Sequence, residues 1–236
     1  MTAIWKKELH SYFYTPVGYV FMGVFLALAG LMFYILNIVP RSSNIPFFFG
    51  SITYLWIPMV PVITMRLFAE EKQKKTDQLI FTSPISITAV VIGKFLAAST
   101  LLFATVLLTG FYVLYVGMYA KVYVGGVMVA YTGFILQGIS FVAINIFLSS
   151  VSKSPTTAAI ASLGINFLLW IMKVLAQSVS NPWVAKVLSF FSIYDRYLPF
   201  EFGQLSFASI VYYLCFIVVF LSATVIHLQG RRWREA

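Results

Sequence analysis

Few residues in this chain are of the types that do covalent chemistry, and their spacing argues against it. The two histidines, His10 and His227, stand at opposite ends of the 236-residue sequence. No HExxH or CxxC spacing offers a metal site, and no GxSxG elbow offers a nucleophile. The single cysteine, Cys215, lies inside an apolar run and has no intrachain disulfide partner. Gly93-Lys94 matches the end of a phosphate-binding loop, but Thr88 occupies the place of the first glycine in GxxxxGK. The seven acids are Glu8, Glu70, Glu71, Asp77, Asp195, Glu201 and Glu235. None lies in an apolar run, whereas proton-coupled carriers usually need a carboxylate within the membrane. The chain is expected to be no enzyme, to bind no metal and to hold no cofactor of its own.

Composition explains where these residues sit. The chain is 61% hydrophobic and 10% charged, with a mean hydropathy of +0.91. A soluble domain carries about a quarter charged residues, so lipid must cover much of this surface. Six runs satisfy the need for about 20 apolar residues per membrane helix. They are Val17–Val39, Phe47–Met65, Phe95–Met118, Val122–Ser150, Pro155–Met172 and Phe207–Ile226, and none contains Asp, Glu, Lys or Arg. The runs are continuous rather than alternating, which excludes barrel strands. The expected fold is an all-α membrane protein of six transmembrane helices, forming one domain over residues 1–236.

The net charge of +9 raises nucleic acid as a partner, but no stretch is long enough to form a basic water-facing domain. The bases instead fall in short segments between spans. Lys6, Lys7, Arg66, Lys72, Lys74, Lys75, Lys94, Lys153, Arg231, Arg232 and Arg234 share one side, against Arg41, Lys121, Lys173, Lys186 and Arg196 on the other. This bias predicts both termini in the cytoplasm of a multi-pass membrane protein. The first run is too long for a signal-peptide core and lacks a small-residue cleavage site, so no cleavable leader is expected.

Three segments lie outside the spans. In residues 1–16, Trp5, Leu9, Tyr12 and Phe13 fall on one arc of a helical wheel, opposite Lys6, Lys7, His10 and Tyr14. That pattern predicts an amphipathic helix lying in the membrane interface, broken from span 1 at Pro16. Residues 66–94 form the most charged stretch. Glu70, Glu71, Lys74, Lys75 and Asp77 stand at helical pairing distances, Ser83-Pro84 marks a turn, and Ser86 is placed to cap the next helix. The apolar Leu79-Ile80-Phe81 must pack against the span bases or a partner protein. Residues 176–206 carry Trp183, Phe190, Phe191, Tyr194, Tyr197, Phe200 and Phe202, which predicts short helices at the outer membrane interface. Inside the spans, Gln137, Asn145 and Asn166 are candidates for a translocation path or for interhelical packing.

The hook between spans 2 and 3 carries a family resemblance. Pro61-Val62-Ile63-Thr64-Met65-Arg66-Leu67-Phe68-Ala69-Glu70-Glu71, then Lys75-Thr76, Leu79, Thr82-Ser83-Pro84-Ile85-Ser86 and Gly93-Lys94, resembles the ABC-2-type permease pattern. The likeness is greatest to permeases of gliding-motility ABC exporters, and Ser192 to Gly203 followed by Ile210-Val211-Tyr212-Tyr213-Leu214 looks like that group's approach to its last span. Lys75 stands where the pattern has glycine, and Gln78 where it has an acid.

The resemblance implies a machine of two six-span permeases, identical or different, with two cytoplasmic ABC ATPase subunits that bind ATP and Mg. An auxiliary extracytoplasmic subunit fits the same picture. It places the chain in a prokaryotic-type inner or plasma membrane. Glu71, Lys74, Thr76, Asp77, Leu79, Phe81 and Pro84 would form the coupling hook that docks on the ATPase. Trp5, Leu9, Tyr12 and Phe13 would anchor the interfacial helix. The alternatives are an ion-coupled secondary transporter, which would not need a charged hook, and a non-transport scaffold or channel, which would show a polar stripe.

Overall fold

The computed structural model describes residues 2–76, 85–179 and 181–235. Among them the chain is entirely helical, with no strand, and six helices are long and apolar enough to cross a membrane. Span 1 is Pro16–Ile38, span 2 Ile45–Gln73, span 3 Ile87–Tyr119, span 4 Val124–Val151, span 5 Pro155–Ser178 and span 6 Phe207–Arg231. A separate N-terminal helix, Thr2–Tyr14, precedes span 1, and Pro16 opens the new helix as its first residue. Proline suits that position because its missing N–H would be unpaired there in any case.

Two spans run beyond their apolar windows on the side of the hook. Span 2 continues from Met65 to Gln73 and span 3 begins at Ile87, so charged residues ride on helices continuous with the spans. Ser86 caps span 3 by accepting the Ala89 N–H at 3.3 Å, and Ser154 closes a capping box with Thr157 at the start of span 5.

Spans 3 and 4 form the centre of the bundle, with 67% of each apolar window buried, against 17% for span 6. Aromatic stacking knits this centre together. Trp56 of span 2 lies 5.1 Å from Phe25 of span 1 and 4.6 Å from Phe134 of span 4, ring centre to ring centre. Such pairs add about 0.5–1.5 kcal/mol each beyond area burial.

The segment between spans 5 and 6 contains the expected short helices, Pro182–Phe191 and Leu198–Glu201. Their aromatics divide into two groups. Trp183, Phe190 and Phe202 are exposed, but Tyr194, Tyr197 and Phe200 are buried in the bundle. The Tyr213 hydroxyl donates to the Ile193 carbonyl at 2.9 Å, tying this segment to span 6. Part of what reads as an interfacial belt is therefore core, because a wheel or a count cannot distinguish lipid from protein as the apolar neighbour.

Candidate functional site

Several buried polar side chains converge on the second half of span 2. Pro61 stands inside the helix Trp56–Thr64 and carries no N–H, which frees the Ile57 carbonyl from its usual partner. Asn166 of span 5 fills that gap, its Nδ2 donating to the Ile57 carbonyl at 3.2 Å. The regular hydrogen bonding of the helix is interrupted at Met65, whose backbone stays in the helical region, and resumes at Arg66. Ser149 of span 4 bridges the interruption: its hydroxyl accepts the N–H groups of Phe68 (3.2 Å) and Ala69 (3.3 Å) and donates to the Met65 carbonyl (3.1 Å). Tyr12 of the N-terminal helix donates to the Ile63 carbonyl at 2.6 Å. Burial, with the Glu8 charge adding to it, pushes the Tyr12 phenol far above its ordinary pKa, so it remains a donor. Lys94 of span 3 donates to the Leu67 carbonyl. Side chains from four elements thus bond to the backbone along this stretch of span 2.

Lys94 is the centre of this arrangement. Only 2% exposed, it lies 2.7 Å from Glu71 Oε1 and 3.3 Å from Glu8 Oε1, with its ammonium 4.9 Å from the centre of the Phe68 ring. A buried ammonium is tolerated only when paired and hydrogen-bonded. Two carboxylates, a carbonyl and a ring face meet that condition. One cation therefore joins the N-terminal helix, the end of span 2 and the start of span 3. Beside it a cleft of about 500 Å³ opens between the N-terminal helix and the hook base, lined by Lys7, Glu8, Arg66, Glu70, Glu71 and Lys74 among others.

The structure distributes the sequence-derived residues unevenly around this junction. Trp5 and Leu9 are partly buried and Tyr12 is buried, with Trp5 Nε1 donating to Thr100 of span 3 at 3.2 Å. Their arc packs on protein rather than on lipid, which corrects the lipid-facing expectation, and Phe13 remains half-exposed at its edge. Glu71 turns inward onto Lys94, whereas Lys74 pairs at the surface with Glu70 at 2.6 Å. Asn166 bonds span 5 to span 2 through its Nδ2, and its Oδ1 has no hydrogen-bond partner among the described residues. Gln137 and Asn145 are fully buried, and none of their side-chain nitrogen and oxygen atoms has a hydrogen-bond partner among the described residues. Asp77, Gln78, Leu79, Phe81 and the Ser83-Pro84 turn lie outside the described residues.

Sequence reasoning passed over Lys94, Glu8 and Ser149, yet two signals were present. Glu8 stands three residues after Trp5 and four before Tyr12, so it is an acid at the edge of the apolar arc. Lys94 falls in the helical series Ile87, Val90, Val91, Ala97, Ala98 and Leu101, every one of which is buried.

The helix at the base of span 2 ends in a motif that explains the family pattern. The Lys75 N–H bonds to the Lys72 carbonyl at 3.2 Å and the Thr76 N–H to the Glu71 carbonyl at 2.9 Å. Lys75 adopts φ 57°. This is a Schellman cap, whose left-handed position favours glycine, and Lys75 occupies the place of the ABC-2 pattern's glycine. The sequence profile described as ABC-2 family transporter protein matches residues 6–226. The chain belongs to the ABC-2 transporter family. No curated protein matches it at significance. Family membership and six apolar helices make it a transmembrane permease of an ABC transporter, a class that is in general a non-catalytic membrane subunit working with ABC ATPase subunits. For an ABC-2 permease the cap has a direct consequence. Lys75→Gly should raise the melting stability of the purified permease by about 1 kcal/mol, the cost of a left-handed non-glycine residue. Lys75→Ala, which retains the strain, should not.

Proposed function

We propose that this permease is the membrane half of an ATP-driven exporter, that two cytoplasmic ATPase subunits dock on its hook, and that the hook passes their motion to the spans. The observation that carries this reading is the Lys94 cluster. It fastens the hook base to span 3 and to the N-terminal helix, so displacement of the hook cannot leave the bundle unmoved. The charge bias supports a cytoplasmic hook and cytoplasmic termini, and the family supports a prokaryotic-type inner or plasma membrane. Two such permeases, identical or different, would enclose the path, and ATP and Mg would bind to the partner subunits. The hook residues and the outer stretch before span 6 support a gliding-motility type of exporter, with an auxiliary extracytoplasmic subunit as a further partner.

In this reading Leu79 and Phe81 are the apolar anchors that enter an ATPase groove, with Lys74 and Asp77 on the polar rim and Thr76 and Pro84 within the same hook. Phe81→Ala should weaken ATPase co-purification by about 2 kcal/mol, as loss of a buried aromatic anchor does. Lys74→Ala should chiefly alter salt dependence. Melting of the isolated permease is measured alongside. A lowered melting temperature with unchanged ATPase association per folded molecule would place Phe81 against the span bases and remove it from docking.

A further inference from the structure

At the end of the bundle opposite the hook, a cleft of about 400 Å³ opens between the ends of spans 1 and 3. Phe33, Asn37, Arg41, Ser42, Tyr115 and Tyr119 line it. Span 1 finishes there in a π-helical turn, Tyr34–Ile38, a geometry that is rare and concentrated at functional sites. Asn37 belongs to that turn and is only 4% exposed. Its Nδ2 donates to the Ser42 carbonyl at 3.0 Å, but its buried Oδ1 accepts no hydrogen bond from the described residues. A buried amide oxygen in that state calls for a donor from elsewhere.

Arg41 supplies the second half of the site. Its backbone is held left-handed at φ 53°, and none of the ion pairs among the described residues includes it. A guanidinium presents a planar fork of donors suited to a phosphate. The third element is apolar. Tyr115 lies edge-on to Phe33 and tilted against Tyr119, at ring separations of 6.1 and 5.3 Å. Beside the cleft, Tyr34, Ile38 and Tyr119 are exposed on the flank of the bundle, where aromatics mark the membrane–water boundary.

We propose that this cleft holds one phospholipid whose headgroup carries a hydrogen-bond donor, as ethanolamine and glycerol headgroups do. The phosphate diester sits on Arg41, the headgroup ammonium or hydroxyl donates to Asn37 Oδ1, and the acyl chains run down the exposed flank of spans 1 and 3. The lipid is a resident partner of the permease rather than its cargo. Choline lipids bring the same phosphate but no N–H, so they satisfy Arg41 and leave Asn37 unpaired. A soluble phosphate ester satisfies both polar groups but forgoes the apolar flank.

The test uses the purified full chain, exchanged into vesicles containing equal phosphatidylethanolamine and phosphatidylcholine, extracted in mild detergent and weighed by native mass spectrometry. One retained lipid per chain is expected, with ethanolamine favoured over choline about tenfold, which is about 1.4 kcal/mol. Arg41→Gln should lower retention of both lipids, and Asn37→Leu should erase the preference between them. Because Asn37 also ties down the Ser42 carbonyl, melting curves accompany that variant. The comparison of the two lipids on the native chain stands without it. Glycerophosphoethanolamine at millimolar concentration should not displace the lipid, and displacement would mean that the cleft takes soluble phosphate esters instead. Equal retention of the two lipids by the native chain, or undiminished retention by Arg41→Gln, overturns the proposal.

Discussion

Lys94→Met should lower the stability of the permease by about 4 kcal/mol, in the range found when one partner of a buried ion pair is removed. Methionine matches the length of the lysine stem and keeps the packing against Phe68, so the loss isolates the charge. What remains is two carboxylates, Glu8 and Glu71, facing each other across the site that the ammonium held, and a Leu67 carbonyl without its donor. Both acids are mostly buried, with side chains 14% and 20% exposed, so water can relieve them only in part. The triple change Lys94→Met, Glu8→Gln, Glu71→Gln should recover most of the melting temperature, because matched neutral groups remove the uncompensated charge. Thermal melting of the purified chain measures both. If the single variant melts like the native chain, the cluster is not a brace. If the triple variant is stable but no longer links ATP hydrolysis to transport, the charges serve coupling as well as folding.

The six spans were legible because lipid imposes a length and an apolarity that few other environments demand. Their hook-side ends were not. A hydropathy window stops where charge begins, at Met65 and Phe95, but the helices continue to Gln73 and start from Ile87, since a helix entering water or a polar junction tolerates charge on its surface. Lys94 was thus read as a boundary residue when it is a core residue. The N-terminal arc shows the converse. Trp5, Leu9 and Tyr12 announced an apolar face, yet a wheel is silent on what covers it, and span 3 covers it rather than lipid. Carbonyls freed by Pro61 and by the interruption at Met65 are local facts of the chain. The side chains that satisfy them, Asn166 and Ser149, come from spans far along the sequence and become identifiable only once the helices are packed. The Lys75 cap is an intermediate case: the family pattern marked the position as unusual, and the left-handed backbone supplies the reason.

Gly133→Val should be strongly damaging at the opposite end of the bundle. Gly133 lies on span 4, and a Cβ built there would meet Phe200 at 2.4 Å from its Cγ and 2.7 Å from its Cβ. Those atoms are the root of the Phe200 side chain and cannot swing aside as a flexible tip would. Phe200 sits in the short helix Leu198–Glu201 and is fully buried, with the Tyr197 hydroxyl reaching the Ala130 carbonyl one turn away at 3.4 Å. Adding a branched side chain forces the whole short helix outward and strips Phe200 of its contacts. Overpacking of this kind costs about 1–3 kcal/mol, and the upper end applies because the backbone must move. Phe200→Ala alone leaves a cavity and should cost about 3 kcal/mol. The two changes together should cost clearly less than their sum, because valine then fills part of the space that the ring vacates. A double-mutant cycle on thermal melting decides the matter. Strict additivity would mean that the short helix does not press on span 4 in the membrane. A strong coupling would show that the segment before span 6 is a fixed plug in the bundle, so that any opening at this end must move span 4 with it.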